Sequence, residues 1–139
     1  MANAEIVAIG SELLLGQIVD TNSSWMAERL TNLGVNLFHK TIVGDNPKRM
    51  TEVLNLALDR SDIVITGGGL GPTQDDLTRE VVAEVTGREL ILDNELLAEI
   101  DERFRSRGFI MTSNNERQAY IPDGAIPVHN PNGTAPSFI

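Results

Sequence analysis

The sequence predicts an α/β fold, a three-layer α/β/α sandwich around a mostly parallel mixed sheet, and three observations carry that expectation. Short apolar or β-branched runs alternate three times with stretches of helical periodicity. Each run leads into a glycine-bearing or polar loop. Such alternation implies right-handed crossovers, a parallel sheet and helices on both faces. In sheets of this kind the loops after the carboxyl ends of the strands gather on one edge, where ligands bind.

Ile6 to Ile9 is an apolar run ending at Gly10, a buried strand. A long polar loop leads to Thr21. From Asn22 to Leu33, Met26, Leu30 and Leu33 recur at helical spacing, and Gly34 stands where a left-handed cap belongs. Val35 to Val43 reads as a second strand. In the "GDNPKRM" that follows, Asp45 or Asn46 can cap a helix and Pro47 suits its first position. That helix carries Met50, Val53, Leu54 and Ala57 on one face. Asp62 to Thr66 has the look of a central parallel strand. A third helix is expected from about Asp76 to Thr86 and a fourth from about Asn94 to Arg107, with Gly87 and Gly108 ending them. After a polar stretch, Ala125 to Val128 suggest a last strand.

The 139 residues suffice for one domain with one core, and 41% hydrophobic with 22% charged residues is a globular balance. A net charge of -9 repels a phosphate backbone over most of the surface, so no nucleic-acid partner is expected. A compact phosphate can still be held by backbone N–H groups and a cation. With no cysteine, disulfides and thiolate chemistry are excluded. No apolar run approaches the roughly 20 residues of a membrane span, so a cytoplasmic location with no membrane partner is the default.

The chemistry is expected in the loops. In "TGGGLGPTQDDLT", from Thr66 to Thr78, glycines allow close backbone approach to an anion, although the spacing matches neither a Walker loop nor the dinucleotide fingerprint. A tight turn capped by Asp75 or Asp76 is the plainer alternative. Asp76, with Asp45 from the second strand's end, could hold a divalent cation such as magnesium and activate water for attack at phosphorus. Capping is equally open for Asp45. The candidate ligand contacts are Gly10, Ser11, Glu12, Asp20 and Asn22 in the first loop. The glycine loop adds Gly68, Gly69, Gly71, Thr73 and Asp75; the last loop adds Asn130, Gly133 and Thr134. Asp20 and Thr21 most plainly cap a helix. His39 and His129 stand alone. The apolar Leu13 to Leu15 run and Trp25 suggest core or a surface for self-association into a homo-oligomer.

Four segments together resemble one family: "GSELLLGQIVDTNS" from Gly10, "VGDN" from Val43, "GGLGPTQDDLT" from Gly68 and "NERQAYIPDGAIPVHNPNGTAP" from Asn115. The family is the N-terminal domain of the competence/damage-inducible protein CinA, related to molybdopterin-binding domains of the MoaB and MogA type. The resemblance implies an α/β/α fold with a mixed sheet. It also implies metal-dependent hydrolysis of ADP-ribose to AMP and ribose 5-phosphate; because an acidic chain must offset the pyrophosphate charge, magnesium, manganese or cobalt is the expected cation. In the molybdopterin relatives, aspartates matching Asp45 and Asp76 line the pterin site. The sequence departs from the family at Gly67, usually threonine, and Ser137, usually glycine. It ends at Ile139 inside an expected strand, so a truncated domain is expected. Full-length CinA proteins also deamidate nicotinamide mononucleotide through a further domain, and nothing here corresponds to it. The expected partner is a small nucleotide or pterin phosphate. Three readings stand: an ADP-ribose pyrophosphatase, a molybdopterin-handling step, and a binding module without catalysis.

Overall fold

The computed structural model describes residues 1–139, which fall into two compact units, Met1–Gly69 and Leu70–Ile139. The first unit holds the elements β1 (Asn3–Ile9), α1 (Ser11–Leu14), α2 (Thr21–Asn32), β2 (Asn36–Val43), α3 (Pro47–Arg60) and β3 (Ile63–Gly67). Its three strands are parallel in the order β2-β1-β3. The expected α/β class with a parallel sheet is therefore present, but the centre lies elsewhere than expected. β1 pairs on both sides and Ala4 to Ile9 are all buried, whereas Asp62 to Thr66 contributes an outer strand of the three whose Ile63 is exposed. A short β-branched run does not distinguish an inner from an outer strand.

Residues alternate across β1, and each face has its own helix. Ala4 and Ile6 pack with Leu30, Met26 and Ala27 of α2. From the other face Glu5 meets α3, where Arg60 donates to both carboxylate oxygens at 2.8 Å and the Thr41 hydroxyl adds a bond at 3.2 Å. Those Arg60 hydrogen bonds hold the Glu5 carboxyl below its usual range, against the desolvation that would raise it. The helix boundaries follow from capping. Asp20 accepts from Ser23 N at 3.0 Å to start α2, and Asn46 accepts from Arg49 N at 3.1 Å, with Pro47 next, to start α3. Gly34, at φ 74°, turns the chain out of α2, leaving Leu33 exposed rather than on the expected apolar face. The segment read as one long polar loop contains α1, too short to show a helical period.

The second unit comprises α4 (Thr78–Thr86), β4 (Leu90–Leu92), α5 (Asn94–Ser106), α6 (Ser113–Glu116), a 3-10 turn at Arg117–Ala119, β5 (Tyr120–Pro122), β6 (Pro127–Val128) and β7 (Ser137–Phe138). Its strands form two antiparallel pairs, β4 with β5 and β6 with β7, so parallel pairing is confined to the first unit. Leu96, Ile100, Ala119 and Ile121 make its core. Three boundaries differ from expectation. α4 begins at Thr78 rather than Asp76, the expected strand from Ala125 shrinks to Pro127–Val128, and the polar stretch before it contains β5. Strands this short, with proline at one end, leave no two-residue period to read.

Candidate functional site

At the carboxyl edge of the first unit's sheet, the loops following β1, β2 and β3 meet, as expected for a parallel sheet. Ser11 and Asp45 tie the first two together reciprocally: Ser11 N donates to Asp45 Oδ2 at 2.8 Å, and Asp45 N donates to Ser11 Oγ at 3.1 Å. Asp45 therefore anchors the start of α1, while capping of α3 falls to Asn46. The third loop closes against the first through Gly68. At φ 102°, its backbone runs so close to β1 that a Cβ there would stand 2.1 Å from the Ile9 carbonyl oxygen. No side chain fits.

Beside this contact lies a cavity of about 180 Å³. Ala8, Ile9, Leu13, Ile18, Val19 and Met26 give it apolar walls, and Glu12, Asp20 and Asn22 give it polar ones, with Gly67 and Gly68 as part of the lining. Four of the expected contacts, Glu12, Asp20, Asn22 and Gly68, are thus brought together. Gly10 lies under the Glu12 carboxylate, since a Cβ at position 10 would meet Glu12 Oε1 at 2.7 Å. Asp20 also fills the capping role, so both readings of that residue hold for one side chain. The apolar members Ile18, Val19 and Met26 were not expected in a site. Met26 reads as core from its helical spacing and Ile18 and Val19 fall in a polar loop, and only the return of the chain from β1 into α2 places them here.

In the second unit the glycine loop is closed on itself. Asp76 Oδ2 accepts from Thr73 N at 2.9 Å and from Thr73 Oγ1 at 2.6 Å, and Gly71 N also bonds this carboxylate. Burial alone would raise the Asp76 pKa, but the Thr73 and Gly71 hydrogen bonds and the nearby Arg79 charge bring it below the ordinary value. Neither Asp75 nor Asp76 caps α4, whose N-terminal residue Leu77 offers no side-chain cap. Asp75 is exposed. Gly69, which closes the first unit, turns through φ 68°.

Two arginines hold the other side of this loop. The Arg79 guanidinium, with the residue only 2% exposed, donates to the carbonyls of Leu70 and Gly71, and its Nε is left without a partner. Arg117 donates to Thr73 O and Glu80 Oε1, each at 2.8 Å, and to Asp76 O at 3.5 Å. The loop's carbonyls thus face cations and two of its amides face a carboxylate. Sequence reasoning missed both arginines. The available signal was Arg79 directly after the glycine loop; Arg117 reaches it from 44 residues away, which no local pattern displays. The last loop is built similarly: Asn130 Oδ1 accepts from Asn132 N and Gly133 N, and Arg103 donates to the carbonyls of Asn130 and Gly133. Thr134 and these residues line a cavity of only about 10 Å³, so this loop is a closed turn.

The expected cation ligands Asp45 and Asp76 each commit one carboxylate oxygen to loop amides, and nowhere do three acidic or imidazole groups converge on a cage. These residues do not fit a preformed metal centre. Hard cations can instead be held by one or two carboxylates together with water and a ligand's phosphates.

The comparisons with known proteins agree with this architecture. Residues 5–139 match the family model described as "Probable molybdopterin binding domain". A competence-damage inducible protein from Caldicellulosiruptor saccharolyticus is 51% identical over 136 residues, covering 98% of this chain and 33% of its own length. The chain therefore spans about a third of the curated relatives it matches. Among solved structures, the protein CinA from Thermoplasma acidophilum, described as of unknown function, superposes with a TM-score of 0.90 at 35% identity, covering 99% of this chain and 80% of that one. A molybdopterin biosynthesis protein from Mycobacterium abscessus follows at a TM-score of 0.57 and 27% identity, over 77% of this chain and 63% of that one. Match across nearly the full chain, by family model and by structure, establishes that the protein belongs to the molybdopterin-binding domain family and, within it, to the CinA-type proteins.

Proposed function

We propose that this chain binds a small phosphorylated pterin or nucleotide. The observation that carries the reading is the family match over residues 5–139 combined with a cavity at the carboxyl edge of a parallel sheet, where such folds take ligands. Thermal unfolding with molybdopterin, ADP-ribose and AMP tests it, because a ligand that binds only the folded state raises Tm. A rise with molybdopterin or ADP-ribose is the expected result, and no rise with either at millimolar concentration sinks the reading.

Metal-dependent hydrolysis of the ADP-ribose pyrophosphate is a second reading. It rests on the resemblance of the motifs "GSELLLGQIVDTNS" and "GGLGPTQDDLT" to CinA-type domains. In it, magnesium, manganese or cobalt would arrive with the phosphates, and Asp45 and Asp76 are the carboxylates that the family resemblance implies for it. Released AMP is the readout. Asp76→Asn keeps the side chain's size and one acceptor oxygen but removes the charge, and should lower AMP release on the order of a hundredfold or more. Asp75→Asn, altering an exposed side chain, should change it less than about twofold. Equal release by Asp76→Asn and wild type would remove Asp76 from the chemistry.

Self-association belongs to the same reading. Leu15, Val19 and Trp25 are 70%, 84% and 58% exposed, and large apolar side chains left this open suit a contact between copies. Light scattering should give a mass above 15.2 kDa at micromolar concentration, and a monomer mass throughout would count against it. No helix is long and apolar enough to cross a membrane. The absence of cysteine suits a reducing cytoplasmic setting.

A further inference from the structure

Ligand orientation follows from the charge and size of the cavity in the first unit. Its volume of about 180 Å³ is well below the roughly 300 Å³ at which pockets begin to enclose whole drug-sized ligands, so it takes one fragment of a ligand. The lining includes two carboxylates, Glu12 and Asp20, and no lysine, arginine or histidine. The amide end of α2 opens here and would ordinarily attract an anion. Asp20 already occupies it, accepting from Ser23 N at 3.0 Å. A phosphate would meet carboxylates with nothing to offset their charge.

Glu12 differs from Asp20 in being uncommitted. It takes part in none of the chain's ion pairs, and its carboxylate lies over Gly10 at the end of β1, where the lack of a side chain leaves it room. An ionised carboxylate only accepts hydrogen bonds, and its two oxygens match two adjacent donors. The remaining walls, Ala8, Ile9, Leu13, Ile18, Val19 and Met26, suit an uncharged ring.

We propose that this cavity receives the uncharged end of the ligand, a ring or sugar presenting two adjacent hydrogen-bond donors to Glu12, and excludes its phosphate. The proposal rests on the binding function above and assigns the orientation of the ligand in that site. Two ligand fragments carry this donor pair: the amino and ring N–H edge of a pterin, and the vicinal diol of a ribose.

The test uses the whole chain and phosphate-free probes. Neopterin, whose side chain also carries hydroxyls, simple pterin without them, and ribose are each titrated while backbone amide resonances are followed by NMR; inorganic pyrophosphate is the counter-probe. Perturbation confined to Gly10–Ser23 and Gly67–Gly68 is expected with at least one organic probe, with simple pterin or ribose identifying the source of the donors. Glu12→Gln, which retains the size but replaces one acceptor oxygen by a donor, should weaken that probe about tenfold or more. Its thermal unfolding should match wild type, because Glu12 is exposed and holds no ion pair. Pyrophosphate perturbing the same amides, or unchanged probe affinity in Glu12→Gln, overturns the proposal. If molybdopterin or ADP-ribose still raises Tm in that case, the binding function stands and only the orientation is wrong. If neither raises Tm and no probe binds, the function and the orientation fall together.

Discussion

Replacing Gly68 with alanine is expected to destabilise the protein by about 3 kcal/mol or more, the strongest effect of any single methyl group in this chain. Two costs coincide. At φ 102° the backbone is in a region that side chains rarely adopt, and the added Cβ would stand 2.1 Å from the Ile9 carbonyl oxygen. That oxygen belongs to backbone at the end of the buried strand β1, so it cannot swing aside as a flexible side chain would. Relief requires the loop after β3 to retreat from β1, which also opens the wall of the cavity that Gly67 and Gly68 line. Lower Tm should therefore accompany loss of ligand binding. Gly67→Ala is the comparison, because its φ is not positive and the added Cβ meets only Met26 Cε at an ordinary 3.7 Å, so stability should suffer far less. Equal thermal stability of Gly68→Ala and wild type would show that the close approach is absent in solution.

Removing Arg60 is expected to reverse the sign of Glu5's contribution to the protein's response to acid. In the wild type the Arg60 hydrogen bonds lower the Glu5 pKa, so this group's stabilisation is fully present above the unfolded carboxyl's value and is lost as pH falls through the lower folded one. In Arg60→Met the Glu5 carboxylate stays wholly buried with only the hydroxyls of Thr41 at 3.2 Å and Ser61 at 3.5 Å beside it. Desolvation then dominates and pushes the pKa up. The variant should melt roughly 5 °C or more below wild type at pH 7 and narrow that gap as the pH drops toward 4. Glu5→Gln in the same background should recover part of the loss, since a neutral amide is less costly to bury than a charge. A gap that is constant with pH would mean that the pair contributes packing rather than charge.

Periodicity and capping chemistry made the first half of the chain legible. Asp20, Asn46, Pro47 and Gly34 mark helix ends through interactions within three or four residues, and local interactions are what a sequence displays. The same holds for the face of α3 that buries Met50, Leu54 and Ala57, and for the family resemblance carried by contiguous motifs. Which strand is central was not legible, because Ala4–Ile9 and Asp62–Thr66 have similar compositions and only pairing on both sides distinguishes them. Nor was the use of the aspartates. Asp76 looks like a cap from its position before a helix, yet it bonds Thr73 and Gly71 because the chain turns two residues before α4 begins. Asp45 looks like the cap of α3, yet it reaches Ser11, 34 residues away. Sequence by itself determined the family, the helix boundaries set by caps and the edge on which the loops after the parallel strands meet. Tertiary structure alone decided which carboxylates are tied to loop amides, as Asp45 and Asp76 are, and which, like Glu12, take part in no ion pair. The reason is physical: a carboxylate's role depends on the donors within about 3 Å, and here several of those donors come from chain segments far away in sequence.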